Sequence, residues 1–158
     1  MFSGTIKSLF TAAVLMCFIL LCQFAFEIPV RSGTCLVSML GLFAAGLVWI
    51  LTSSQVSHKH FKYVFQRGFQ SFVFITFLMV VFFIIFYKFN PQILDQFIKE
   101  NNQNIQLAGS KTPDEVANNE AMIRSYFVPM TISFYTLLFL FFGAITTAIT
   151  AVFLTRSK

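Results

Sequence analysis

The chain has 158 residues, of which 57% are hydrophobic and only 11% charged, and its mean hydropathy is +0.77. Soluble domains carry roughly one quarter charged residues, so this composition excludes an ordinary soluble globular domain. The net charge of +5 comes from 11 Lys and Arg against 6 Asp and Glu. The composition is that of an integral membrane protein.

Four apolar stretches are long enough to cross the hydrocarbon layer of a bilayer, which takes about 20 mostly apolar residues. They cover residues 9–26, 35–52, 69–87 and 129–154, and none has a charged side chain in its interior. Backbone polar groups in lipid must be paired within the segment, so each stretch is predicted to be an α-helix. The sequence predicts an all-α fold in which residues 1–158 form one membrane domain, a four-helix bundle.

The first stretch contains Gln23, the deepest strongly polar side chain of the four. It is predicted to hydrogen-bond between helices, or to line a polar path if the chain forms an oligomer. Cys22 and Cys35 approach the same side of the membrane, and the sequence leaves open whether they pair. The odd total of three cysteines and their apolar setting favour free thiols.

Small residues recur at a spacing of four in the second and fourth stretches. This spacing lets helix backbones approach closely, so it predicts the packing seams of the bundle. The predicted packing residues are Gly41, Ala45, Gly143, Thr147 and Ala151.

A basic segment, HKHFKYVFQRGFQ, precedes the third stretch. Projected as a helix, Lys59, Lys62 and Arg67 lie on one face and the phenylalanines on another. The pattern predicts an amphipathic helix over residues 58–68, lying in the inner interface and turning into the membrane at about Gly68. The three cations, called the inner collar, are predicted to contact anionic lipid or a cytoplasmic partner. They are too few for a nucleic-acid site, and two nearby histidines alone do not make a metal site.

The distribution of charge predicts the orientation. With the N-terminus inside, the inner segments hold six cations and no acid, and the outer segments hold five cations and six acids. The cations are dense in the short inner segments, which favours cytoplasmic N- and C-termini.

A polar stretch over residues 90–127 is predicted to form an outer helical hairpin. Asn90 and Pro91 mark the start of its first helix, and Thr112-Pro113-Asp114-Glu115 is a capping box that starts the second. Its five acids are explained by capping and solubility, so we predict no catalytic residue, metal site or cofactor.

Several runs along the chain, "FKYVFQRGFQSF", "FYKFNPQILDQFIKE" and "GAITTAITAVFLTRSK", together resemble a bacterial family of four-span proteins designated as a domain of unknown function and common in Bacteroidota. The resemblance covers nearly the whole chain. It implies an inner-membrane location with the hairpin in the periplasm, and it brings no catalytic residues to this sequence. The short segment "IPVRSGTC" before the second stretch departs from the pattern.

The leading hypothesis is a non-enzymatic integral membrane protein that acts as an accessory or assembly component of a membrane complex. Its expected partners are membrane lipids and another membrane protein or a second copy, with no nucleic acid and no identifiable small-molecule substrate. The alternative is a small transporter or channel subunit that acts as an oligomer, with Gln23 on its path. An enzyme using hairpin carboxylates such as Asp114 or Glu120 ranks third.

Overall fold

The structure is a computed structural model that describes residues 2–26, 29, 32–53, 60–108 and 112–156. In these ranges the chain forms five α-helices and no strand: α1 (Phe2–Phe24), α2 (Gly33–Thr52), α3 (Phe61–Phe89), α4 (Gln92–Ala108) and α5 (Pro113–Arg156). The prediction of an all-α fold is confirmed.

Four of these described helices are long and apolar enough to cross a membrane. The segments that meet this condition are Gly4–Phe24, Gly33–Thr52, Phe61–Phe89 and Asp114–Arg156. They cover the four predicted stretches except for the last two residues of the first. The chain is therefore a multi-pass membrane protein with one additional helix, α4.

Helix α3 begins at Phe61 and continues through Gly68 to Phe89 without a break. The turn predicted at Gly68 does not occur, and the amphipathic stretch forms the first turns of α3. Residues 58 and 59 lie outside the described residues. The turn is absent because Gly68 packs closely against α5: a Cβ at this position would overlap the side chain of Thr147. With 29 residues α3 is about 43 Å long, so its first turns extend beyond a hydrocarbon layer about 30 Å thick.

Helix α5 runs for 44 residues and contains Pro129 in its interior. The sequence placed the end of the hairpin and the start of the fourth span near this proline, but the helix continues through it. Proline removes one backbone donor, and membrane helices tolerate that loss where neighbouring groups satisfy the freed carbonyl. At Pro129 the residue composition changes from polar to apolar, while the helical backbone continues.

The chain divides into two compact units. The first comprises residues 1–79 and 136–158, and the second comprises residues 80–135. In the first unit, the fully buried rings of Phe43 and Phe139 meet edge to face with centroids 4.9 Å apart. Gly46 allows close approach of α1, since a Cβ there would overlap Thr11.

The second unit contains α4 and residues 113–128 of α5, which together we call the hairpin. Three aromatic rings form the core of the second unit. The Phe97 and Phe127 rings have centroids 5.1 Å apart, and the Phe127 and Tyr87 rings have centroids 5.7 Å apart. Arg124 on α5 reaches Asp95 on α4 at 2.9 Å and Glu120 on its own helix at 3.0 Å.

The predicted capping box at the start of α5 is present. The Thr112 backbone N–H donates to the Glu115 carboxylate at 2.8 Å, and the Glu115 N–H donates to the Thr112 hydroxyl at 3.4 Å. These two bonds satisfy donors that a helix N-terminus otherwise leaves unpaired.

Arg124→Ala is expected to loosen the hairpin with little effect on global stability. Exposed ion pairs contribute little to global stability because solvent screens them, and all three charged groups here are substantially exposed. We expect faster proteolysis within residues 92–124 by limited digestion, and an almost unchanged thermal midpoint. Lys99→Ala is the control, because this exposed α4 cation has no ion pair in the described chain. Equal protease sensitivity of the two variants would contradict the prediction that the ion pairs of Arg124 hold α4 and α5 together.

Candidate functional site

Of the predicted inner collar, the structure describes two residues, and Lys59 lies outside the described ranges. Lys62 is exposed on the first turn of α3. Arg67 is half-buried, and its guanidinium lies 5.3 Å from the centroid of the Tyr63 ring. The two described collar cations therefore have different surroundings, and Arg67 lines a cavity to which Lys62 does not contribute.

This cavity has a volume of about 300 Å³ and belongs wholly to the first unit. It lies where the first turns of α1, the last turn of α2 and the early turns of α3 meet. Its apolar wall consists of Ile50, Leu51 and Phe74. Small-molecule sites range over roughly 300–1,000 Å³, so the cavity is of the size that holds a small group.

The polar wall of the cavity contains Thr5, Ser8, Arg67, Gln70 and Ser71. The Ser8 hydroxyl donates to the Gly4 carbonyl at 3.0 Å. The side chains of Thr5, Gln70 and Ser71 make no hydrogen bond within the part of the chain that the structure describes. Several donors therefore converge on one space, and no hydrogen-bond acceptor for Thr5, Gln70 or Ser71 occurs among the described residues.

Among the described residues of the first unit, no acid balances the charge of Arg67. Glu27 is the single acid in the sequence of residues 1–79 and 136–158. Glu27 lies outside the described residues, so the described part of this unit contains no acid. The cavity combines a cation with an excess of positive charge around it, an arrangement that attracts an anion.

A family model described as "Protein of unknown function (DUF4199)" matches residues 2–156. The chain belongs to the DUF4199 family. The match covers nearly the whole chain and confirms the family resemblance drawn from the sequence. No curated protein and no solved structure matches the chain. The candidate site of this DUF4199 protein therefore rests on its own residues.

Lys7 is a contact that the sequence reasoning missed, since it used this residue only for orientation. Its ammonium donates to the Ser53 hydroxyl at 2.7 Å and lies 5.8 Å from the centroid of the Trp49 ring. Ser53 caps the C-terminal end of α2, where a cation is favoured by the helix dipole. A lysine near one chain end and a helix C-terminus elsewhere give no sequence signal for pairing.

The predicted packing residues lie in different surroundings. On α5, Thr147 and Ala151 are fully buried, and Gly143 is so close to Phe72 that a Cβ would lie 2.7 Å from its Cγ. On α2, Gly41 and Ala45 are exposed, and a Cβ on Gly41 would meet nothing within 4 Å. In this chain the α2 close approach occurs at Gly46 instead.

The remaining predicted residues lie at the end of α1 and the start of α2. Gln23 is half-buried, and its buried Oε1 has no hydrogen-bond partner among the described residues. Cys22 and Cys35 are buried free thiols. No group of three or more His, Cys, Asp or Glu that could hold a metal ion occurs in the described ranges.

Proposed function

We propose that this DUF4199 protein is a non-enzymatic accessory or assembly component of a membrane complex. It occupies the bacterial inner membrane with both termini in the cytoplasm and the hairpin in the periplasm. Two features of the sequence support this placement: the six cations and no acid of the predicted inner segments, and the resemblance to inner-membrane four-span proteins.

One surface of the second unit carries the proposal. Met122, Tyr126, Met130 and Phe134 follow one another at intervals of four along α5, and each is between 53% and 74% exposed. Residues four apart share one helix face. Arg124 contacts α4 from the far side of α5 relative to Met122 and Tyr126, and the buried Phe127 contacts α4 beside the stripe. We call the four exposed residues the α5 stripe.

The occupant proposed for the α5 stripe is another membrane protein. The stripe begins in the hairpin and continues past Pro129 into the apolar part of α5, so a partner that follows it has both a periplasmic and a membrane-embedded surface. Methionine and aromatic side chains are enriched in protein interfaces. Lipid alone does not account for exposed apolar residues in the polar hairpin, at Met122 and Tyr126.

The test is affinity purification of the tagged full-length protein from native membranes in mild detergent. We expect a stoichiometric partner that is lost when residues 91–127 are deleted and when Met122 and Tyr126 are both changed to Lys. Ala121→Lys is the control that keeps the partner, because this exposed residue lies to the side of both the α5 stripe and the face that contacts α4. The partner is then purified and must bind the wild type directly but not the double variant. Recovery of the protein alone or only with itself would contradict the proposal.

A second candidate function rests on Gln23, whose buried amide oxygen lacks a partner in the described chain. A small transporter or channel subunit that acts as an oligomer would place this side chain on a polar path between copies. Flux of small solutes through reconstituted liposomes, lost in Gln23→Leu, would support this function. Flux that survives Gln23→Leu would eliminate Gln23 as part of the path.

A further inference from the structure

The cavity between α1, α2 and α3 places a cation, polar side chains that have no hydrogen-bond partner among the described residues, and an apolar wall side by side. We propose that it binds the phosphate group of an anionic phospholipid, with Arg67 as the main ligand and Gln70 and Ser71 as further donors. This site is distinct from the α5 stripe and does not depend on a protein partner.

Arg67 suits a phosphate because its planar guanidinium offers five donors in a fixed fork. Such a fork binds two oxygens of one phosphate, and charge-assisted bonds of this kind are the strongest hydrogen bonds in proteins. The centroid of the Tyr63 ring lies 5.3 Å from the guanidinium carbon, a cation–π contact that favours this position of the Arg67 side chain. No acid of residues 1–26 or 28–94 competes for it, because the sequence has none there.

The neutral donors complete a binding shell. Thr5 on α1 and Gln70 and Ser71 on α3 line the same cavity as Arg67, and none has a hydrogen-bond partner among the described residues. Ser71 is half-buried, whereas Thr5 and Gln70 are exposed at the mouth of the cavity and are available to a ligand that enters it. An anion with several oxygens satisfies these donors and the cation together.

The depth of the cavity favours a lipid over soluble phosphate. Gln70 and Ser71 are the last polar residues of α3 before a run from Phe72 to Phe86 in which Thr76 is the single polar side chain. A helix changes from polar to apolar where it enters the hydrocarbon, and the headgroup layer that holds the phospholipid phosphates borders the hydrocarbon at this level. The apolar wall of Ile50 and Leu51 can contact the acyl chains of a lipid, whereas a free phosphate ion has no apolar part to contact it.

Trp49, the single tryptophan, precedes Ile50 of the cavity wall and provides a local probe. The full-length protein is reconstituted in phosphatidylcholine vesicles, and quenching of Trp49 by brominated phosphatidylglycerol is compared with quenching by brominated phosphatidylcholine at equal mole fraction. We expect the anionic lipid to be preferred about fivefold, the contribution of one cation at an anionic membrane surface.

Three variants test whether the preference for the anionic lipid arises at the cavity. Arg67→Gln is expected to reduce it to nearly onefold. Gly4→Leu is expected to do the same without a change of charge, since Gly4 lines the cavity and a Cβ there meets nothing within 4 Å. Lys62→Gln removes an equal charge from an α3 position that does not line the cavity, so most of the preference should remain. Helix content measured by circular dichroism confirms that each variant is folded.

Three results would overturn the site. The first is no preference in the wild type. The second is an equal loss in Lys62→Gln and Arg67→Gln, which would mean a diffuse charge effect. The third is suppression of the preference by inorganic phosphate relative to chloride at the same ionic strength, which would assign the cavity to a soluble phosphate.

Discussion

Gly68→Leu is expected to destabilise the protein far more than the same substitution at an exposed glycine. A Cβ at Gly68 would overlap the Thr147 side chain, which is fully buried. Overpacking of this kind costs typically about 1–3 kcal/mol, and a leucine adds three further carbon atoms. We expect a loss at the upper end of that range, measured by thermal unfolding in mild detergent.

Gly41→Leu is the matched control, because the same change at an exposed helix position meets open space. Leucine has a higher helix propensity than glycine, so this variant should be neutral or slightly more stable. If both variants lose stability equally, or if Gly68→Leu loses none, the close approach of α3 and α5 at Gly68 is wrong.

Phe139→Ala is the second change with a large expected effect. Phe139 is fully buried and packs edge to face on Phe43. In a soluble core, Phe→Ala costs about 3–5 kcal/mol from lost transfer energy and from the cavity left behind. Between membrane helices the transfer contribution is small, because lipid is as apolar as the core, so lost packing dominates. We expect a cost of about 3 kcal/mol, towards the lower end of that range.

Phe141→Ala, on the same helix, tests whether the cost comes from the loss of buried packing. Phe141 is 64% exposed, so its removal should change the thermal midpoint only slightly. A double-mutant cycle with Phe43→Ala should show that the losses at Phe43 and Phe139 are not additive, because the two rings contact each other. Additive losses would mean that the ring contact contributes nothing of its own.

The elements that the sequence predicted correctly depend on local signals. A run of about 20 apolar residues requires a membrane helix whatever its neighbours are, so α1, α2 and most of α3 could be placed from hydropathy alone. The capping box at Thr112 and Glu115 is equally local, because both partners lie within one turn. The start of α5 was therefore predicted to the residue.

The features that the sequence could not predict depend on residues far apart in the chain. Gly68 and Pro129 are residue types that occur at turns, yet the structure has Gly68 in a close contact and Pro129 inside a continuous helix. Small-residue spacing does not say which face of α2 meets a neighbour, so it does not distinguish the exposed Gly41 from Gly46, which lies close to Thr11. The cavity itself arises only when α1 brings Thr5 to Arg67 of α3.

Cysteine accessibility tests the proposed placement most directly, because both proposed surfaces depend on it. In a variant without the three native cysteines, single cysteines replace Asn118 of the hairpin or His60 before α3, both exposed. A membrane-impermeant maleimide is applied to spheroplasts. We predict labelling of Asn118→Cys in intact spheroplasts and of His60→Cys only after permeabilisation. The reverse pattern would contradict the placement of the hairpin in the periplasm and of the cavity at the cytoplasmic side.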